Sequence, residues 1–164
     1  GTLGKIGTEL SLVRHSIRRP SSPFELKRAV DSRVLALTLF PGVDTAMVVK
    51  NVTASADAGL LRALLIRGFG VGNVPIAGLS DLRPLLANAS GRNFEVVISS
   101  QCYRGHTDLA MYPGGRALVE AGAIAAADMT FEAAITKTMW ALAQSEHDLR
   151  TWFETDLAGE VSFS

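Results

Sequence analysis

From about residue 34 onward, short apolar runs alternate with stretches whose apolar residues recur at helical spacing. Val34-Leu35-Ala36-Leu37-Thr38-Leu39-Phe40 is a near-continuous apolar run, the pattern of a strand covered on both faces. Pro41-Gly42 punctuates its end, and a helix is predicted over 45–53 with Met47, Val48 and Val52 on or near one face. Residues 60–67 form a second run, stopped by Gly68-Phe69-Gly70-Val71-Gly72-Asn73. Ser80 suits the N-cap of a helix through Leu86, with Asp81 in its first turn. Residues 94–98 give a third strand, opening into Ser99-Ser100-Gln101-Cys102. Residues 115–121 read as a helix stopped by Gly122. Thr130 then caps a long helix over 131–145, where Ala134, Thr138, Ala141 and Leu142 lie close together on one face. A last amphipathic helix is expected over 147–157, carrying Leu149, Trp152 and Phe153.

Such alternation implies an α/β fold, a three-layer sandwich with a small, mainly parallel, Rossmann-like sheet, right-handed crossovers and helices on both faces. The first thirty residues differ. Residues 6–13 suit a short strand, and Arg18-Arg19-Pro20-Ser21-Ser22-Pro23 reads as a linker or edge element. The chain therefore divides into residues 1–32, a strand and linker, and residues 33–164, one α/β domain.

Composition narrows the function classes. The 164 residues are 48% apolar and 20% charged, as in an ordinary globular protein. Lys+Arg and Asp+Glu both number 16, so no global field draws in nucleic acid or acidic lipid. The basic cluster Arg14, His15, Arg18, Arg19 has no interleaved aromatic residues and reads as a solvated face or linker. No stretch is long and apolar enough to span a membrane, and the opening residues form no signal-peptide pattern. With Cys102 as the single cysteine, no intrachain disulfide forms, and a reducing cytoplasm is expected. Three scattered histidines without cysteine or carboxylate spacing argue against a metal site.

In open parallel sheets, ligands bind beyond the carboxyl ends of the strands. That directs attention to residues 41–44, 68–73 and 99–106. The glycine loop fails G-x-G-x-x-G because position 73 is Asn, and no acidic residue stands in the expected context, so a dinucleotide site is disfavoured. Its glycines more simply let a backbone approach a neighbour or a ligand closely. Arg67 and Asn73 flank the loop, where each is able to hold a carboxylate or amide; loop structure alone is the competing explanation. The segment 99–106 holds Ser, Cys and His but no G-x-S-x-G elbow. Cys102 reads as a small, semi-buried residue rather than a reactive thiol. Tyr112-Pro113-Gly114-Gly115 suits a turn into the following helix, and Trp140 and Trp152 suit core or interface.

The ordered loops resemble bacterial type I L-asparaginases. Phe40-Pro41-Gly42 follows a strand, and then comes Leu65-Ile66-Arg67-Gly68-Phe69-Gly70-Val71-Gly72-Asn73-Val74-Pro75. Ser100-Gln101-Cys102, Gly115-Arg116-Ala117-Leu118 and Glu120-Ala121-Gly122 continue the pattern. Ala127-Asp128-Met129-Thr130-Phe131-Glu132-Ala133, Ile135-Thr136-Lys137 and Trp140-Ala141-Leu142 complete it over about residues 39–145. Leu3-Gly4-Lys5-Ile6-Gly7 is similar to the stretch leaving that family's N-terminal domain. The resemblance implies hydrolysis of L-asparagine to aspartate and ammonia without metal or organic cofactor. It also implies that the nucleophilic threonines belong to an N-terminal domain: neither Thr-Gly-Gly-Thr nor His-Gly-Thr-Asp is present here, and Val43-Asp44-Thr45 is in the wrong place to be the latter. No catalytic residue is therefore expected in this chain, which alone should be inactive. The C-terminal domain of the family completes the active site and builds the homo-oligomer. The Gly72-Asn73 loop resembles the one that approaches that site, although Pro75 replaces a substrate-contacting Asn of type II enzymes. By resemblance Arg67, Asn73 and Cys102 match an allosteric asparagine site, with Gly68 and His106 as departures. Two other readings stand beside this one: part of the D component of an archaeal glutamyl-tRNA(Gln) amidotransferase, and a free-standing amino-acid-binding or regulatory module. Gly70-Val71-Gly72-Asn73-Val74-Pro75 favours the asparaginases.

Overall fold

A computed structural model of the chain describes residues 4–12, 23–76, 81–102 and 106–162. At the start, β1 (Gly4–Ile6) and β2 (Leu10–Leu12) pair antiparallel, with Lys5 opposite Ser11. The single strand expected over 6–13 is thus a tight hairpin. The chain reverses at residues 7–9, where the Gly7 amide donates to the Glu9 carbonyl at 3.1 Å. The Pro/Ser-rich stretch expected as a linker falls largely on residues 13–22, outside the described residues.

The main sheet contains β3 (Val34–Thr38), β4 (Ala63–Gly68), β5 (Glu95–Ser100) and β6 (Ile124–Ala125), all parallel and in that order. Because spatial order follows chain order, right-handed crossovers put every intervening helix on one face. These are α1 (Thr45–Asp57), α2 (Arg83–Arg92) and α3 (Pro113–Glu120). After β6 the chain covers the other face with α4 (Phe131–Ala141) and α5 (Leu149–Phe153). The three-layer arrangement read from the sequence is the one observed.

Strand periodicity sorts the two cores. Leu64, Ile66, Val96 and Ile98 pack with Val48 and Val52 of α1, Leu85 of α2 and Leu118 of α3. The alternate residues Leu65 and Val97 pack with Ala134, Leu149, Trp152 and Phe153 on the opposite face. Full burial of each Val, Leu, Ile or Phe side chain among them contributes roughly 1.5–3 kcal/mol. Trp152 meets Trp140 edge to face, with ring centroids 4.8 Å apart, so both tryptophans serve the second core.

Several boundaries differ from expectation for identifiable reasons. The β3 run is not covered on both faces: Leu35 is 41% exposed and Ala36 is exposed, because β3 is the sheet's edge and has β4 as its one neighbour. Helix α2 begins at Arg83, with Pro84 in its first two positions, and Asp81 lies before it, accepting the Arg83 amide at 2.9 Å. Ser80 lies outside the described residues. Pro113, Gly114 and Gly115 form the first turn of α3 rather than a turn before it. A Cβ on Gly115 would stand 2.0 Å from the Leu109 carbonyl oxygen, so no larger residue fits. Thr130 does cap α4, its hydroxyl accepting the Ala133 amide at 3.1 Å, but the helix stops at Ala141 rather than Ser145. Helix α5 is likewise shorter than the expected 147–157, capped by Asp148. The two-residue β6 has too little pattern to be read from the sequence.

Residues just before β3 are attached to the second layer. The Asp31 amide donates to the Met139 carbonyl at 2.8 Å, and Lys27 pairs with Glu146. The Arg33 guanidinium beside Asp31 holds that carboxyl at about 2, below its ordinary range.

Candidate functional site

The parallel sheet brings the ends of β3, β4 and β5 to one edge, and the three segments singled out there prove unequal. In the first, Asp44 is consumed by structure: its side chain accepts the Met47 amide at 3.0 Å as the N-cap of α1. In the second, the glycine loop closes on itself. The Phe69 amide donates to the Asn73 carbonyl at 2.8 Å, and the Asn73 amide donates to the Phe69 carbonyl at 2.7 Å. A Cβ on Gly68 would stand 2.8 Å from the Asn73 carbonyl oxygen, and Gly72 has φ +105 with Thr107 Cγ2 2.7 Å from its Cβ position. These glycines serve close backbone packing, the first of the two uses the sequence allowed.

The third segment meets Arg67 in a cleft of about 350 Å³. One wall carries Arg67, Ser100 and Cys102; the other carries Ala127 to Glu132, which ends in the first turn of α4. Arg67 is the next-to-last residue of β4 and is half-buried, while every other residue of that strand is buried. Its Nε donates to the Ser100 carbonyl at a long 3.4 Å, and its guanidinium lies 5.2 Å from the centre of the Phe131 ring. Among the described residues no carboxylate is bonded to it, whereas Arg33, Arg83 and Arg92 each hold one. Across the cleft stand Asp128 and Glu132. Asp128 is partly engaged, accepting the Ser162 amide at 2.8 Å.

Cys102 is exposed, not semi-buried as its residue type suggested, because it stands beyond the last residue of β5. Its amide donates to the Ser100 hydroxyl at 2.9 Å, and that hydroxyl donates to the Gly70 carbonyl at 2.5 Å. Asn73 lies apart from the cleft lining. Its side-chain oxygen is 2.9 Å from where a Cβ on Gly114 would stand, at the start of α3. The structure therefore brings Arg67 and Cys102 into one cavity and turns Asn73 toward α3. His106 is exposed, with the three residues before it outside the described ones.

Five contributors were quoted in the sequence motifs but given no role there. Phe131 lies beneath the guanidinium, Asp128 and Glu132 supply negative charge, and Gln101 ties strand ends together. Ala127, in the same lining, holds φ +50, a left-handed conformation uncommon for a residue with a Cβ, while its carbonyl accepts the Thr107 amide at 2.7 Å. Among the described residues no cluster of His, Cys, Asp and Glu able to hold a metal ion occurs, and no helix is long and apolar enough to cross a membrane.

Residues 33–153 match the family model of the glutaminase/asparaginase C-terminal domain. The chain belongs to that family. It is 33% identical over 155 residues to an L-asparaginase of Thermococcus kodakarensis, covering 93% of this chain and 45% of that protein. It is 34% identical over 147 residues to the D component of the Aeropyrum pernix glutamyl-tRNA(Gln) amidotransferase, covering 88% of this chain and 32% of that protein. Among solved structures, the thermostable L-asparaginase from Thermococcus kodakarensis superposes with TM-score 0.77 at 30% identity, over 99% of this chain and 48% of that one. L-asparaginase I from Vibrio cholerae superposes with TM-score 0.76 at 27% identity, over 98% and 47%. The chain thus spans less than half the length of these relatives.

Proposed function

We propose that this chain is the C-terminal part of an L-asparaginase, hydrolysing L-asparagine to L-aspartate and ammonia together with an N-terminal domain that carries the nucleophilic threonines. In this reading residues 1–32 lead out of that domain, residues 33–164 form the asparaginase-type α/β domain, and the chain alone releases no ammonia. It acts in the cytoplasm as a homo-oligomer, without metal or organic cofactor, and supplies an interface and a ligand-facing wall. The observation that carries the reading is the half-buried Arg67, free of any bonded carboxylate among the described residues, opening into a cleft that also holds Asp128 and Glu132. A free amino acid presents one carboxylate and one ammonium. A guanidinium matches the first and acidic side chains match the second. Cys102 lines the same space, and Asn73 joins it only if the glycine loop turns its side chain from α3.

Two measurements test this. The purified chain incubated with L-asparagine should release no ammonia, and adding the threonine-bearing domain should restore release; turnover by the chain alone would overturn the division of labour. In calorimetry, Arg67→Ala should weaken binding of L-asparagine at least tenfold, the loss expected for a charge-assisted contact. Equal binding by both proteins would remove Arg67 from the site.

A second reading has support of its own, since the D component of a tRNA-dependent amidotransferase is as similar in sequence as the asparaginase is. The neutral net charge of the chain gives that reading no help, because RNA binding draws on a basic surface. Dependence of ammonia release on a charged glutamyl-tRNA would decide for it. Tight L-asparagine binding with no restored turnover would instead favour a free-standing amino-acid-binding module.

A further inference from the structure

Residue 101 is the first beyond β5, where the ladder between β4 and β5 has ended at Gly68 opposite Ser100. The last pair between β3 and β4 is Thr38 opposite Arg67, with one further backbone bond, from the Leu39 amide to the Arg67 carbonyl at 3.1 Å. Strand ends beyond the ladder are free to splay unless something else bonds their backbone groups. Gln101 is half-buried at this junction. Its carboxamide nitrogen donates to the Leu39 carbonyl at 2.7 Å and to the Arg67 carbonyl at 3.0 Å. Its own amide donates to the Gly68 carbonyl at 3.1 Å. Both side-chain partners are carbonyl oxygens, so the NH2 end of the amide must face them.

We infer that Gln101 is a positioning residue: it clamps the carboxyl ends of β3, β4 and β5 together and thereby fixes the spacing of Arg67 and Cys102 in the cleft. The inference rests on the proposed ligand role of that cleft. Arg67 has little else to hold it. Its side chain has one long bond and a ring contact, so the guanidinium goes where the main chain of β4 puts it. Cys102 is the residue directly after the clamp, and its amide is bonded to the Ser100 hydroxyl. Two N–H groups on one uncharged, four-atom-long side chain are required here. Asn is one methylene too short, Glu offers no donors, and Lys or Arg would place a charge in a half-buried junction without a counter-charge.

The test uses the 164-residue chain carrying Gln101→Glu, which keeps the shape and removes both donors, and in parallel Gln101→Met, which removes them without adding charge. Amide hydrogen exchange is read by NMR, and L-asparagine binding by calorimetry at a temperature where every protein is folded. Exchange at Leu39, at position 101 and at Cys102 should accelerate about tenfold, the scale of one lost hydrogen bond, while Leu65 and Val97 in the strand centres keep their rates. L-asparagine should bind about tenfold more weakly. Unchanged exchange in the folded variants overturns the clamp. Acceleration that includes Leu65 and Val97 marks a general structural role and overturns it too. Local acceleration with unchanged affinity overturns the link to the cleft. If the unsubstituted chain takes up no L-asparagine, the ligand reading itself has failed, and the exchange pattern alone then decides the clamp. Should Gln101→Glu not fold, Gln101→Met carries the same outcomes.

Discussion

Strands β3 and β4 are neighbours of nearly the same composition, yet they live in different environments. Leu64, Leu65 and Ile66 of β4 are 1% exposed or less, whereas Leu35 of β3 is 41% exposed and Phe40 beyond it 57%. In register, Leu35 lies beside Leu64 and Ala36 beside Leu65. What separates the strands is the number of neighbours: β4 is paired on both sides, β3 on one. Helix α4 reaches β3 as well as β4 and β5, but Leu35 lies on the other face, beside Leu64, and is left open there. An apolar run therefore reports only that a strand is able to be buried. Its place in the sheet decides whether it is.

The largest effect separating the two strands should come from the core itself. Ile66→Ala removes buried volume between two strands and three helices, and should cost about 2–5 kcal/mol in urea unfolding. Leu35→Ala, one strand away, should cost less than about 1 kcal/mol. Equal losses at the two positions would show that β3 is covered in solution by something the structure does not contain.

Next in size is the fastening of the layer that covers β4. Lys137 of α4 is buried. Its Nζ donates to the Glu160 carboxylate at 2.5 Å and to the Thr155 carbonyl at 2.6 Å, pinning the C-terminal segment to the helix. Burial pushes the Glu160 carboxyl up, but the Lys137 ammonium and the amides of Ala158 and Leu157 outweigh it and hold the group at about 2, against an ordinary 4.5. A carboxyl lowered by folding contributes stability above its unfolded value and loses it as pH falls through the folded one. The contribution is thus complete above pH 4.5 and fades toward pH 2, a loss on the order of 2–3 kcal/mol. Glu160→Gln should reduce that acid slope, with Asp31, also held at about 2, and the lowered carboxyls of Asp81, Glu146 and Asp148 accounting for what remains. A slope unchanged by Glu160→Gln would assign the acid sensitivity elsewhere.

A smaller contrast lies in the glycines at the two strand ends. Gly42 after β3 needs its φ of +88 but has open space around its Cβ position, whereas Gly68 at the end of β4 faces the Asn73 carbonyl oxygen. Gly68→Ala and Gly42→Ala should each cost about 1–2 kcal/mol, for different reasons. Asn tolerates the left-handed region, so Gly42→Asn should recover most of the loss and Gly68→Asn none. Recovery at both positions in thermal melts would mean that the loop at Gly68 is looser than it stands here.

The layers and parallel sheet were legible because alternation and chain order constrain them strongly. The edge position of β3 was not, since Val34 to Phe40 carries the same pattern as a central strand. Hairpin β1–β2 was missed because Gly7-Thr8-Glu9 is not a strong turn signature, and α2 began late because Pro84 sets its first turn. In the candidate site, Arg67 and Cys102 were named from loop order, and the fold joins them in one cleft. Gln101 was quoted in the motif but given no role, because a glutamine carries no signature of what its amide will hold. Lys137 stood in a recognised stretch, yet its residue type predicts exposure. Its burial depends on Glu160, 23 residues away. Long-range pairings of this kind are absent from any local window.

The smallest effect is the most informative about the edge. Leu35→Lys would be ruinous on a central strand, where an unpaired ammonium would lose its hydration. On β3 the side chain already meets solvent over 41% of its surface, and a lysine can lay its stem along the apolar remainder and keep its charge in water. Lysine on an open edge also discourages pairing with another sheet. The substitution should therefore shift unfolding stability by less than about 0.5 kcal/mol, as surface changes usually do. A loss above about 2 kcal/mol in the monomeric chain would mean that this face of β3 is buried. A loss that appears only at high protein concentration would mean that a second copy buries it. The same sequence run would then be a central strand after all, completed by another sheet.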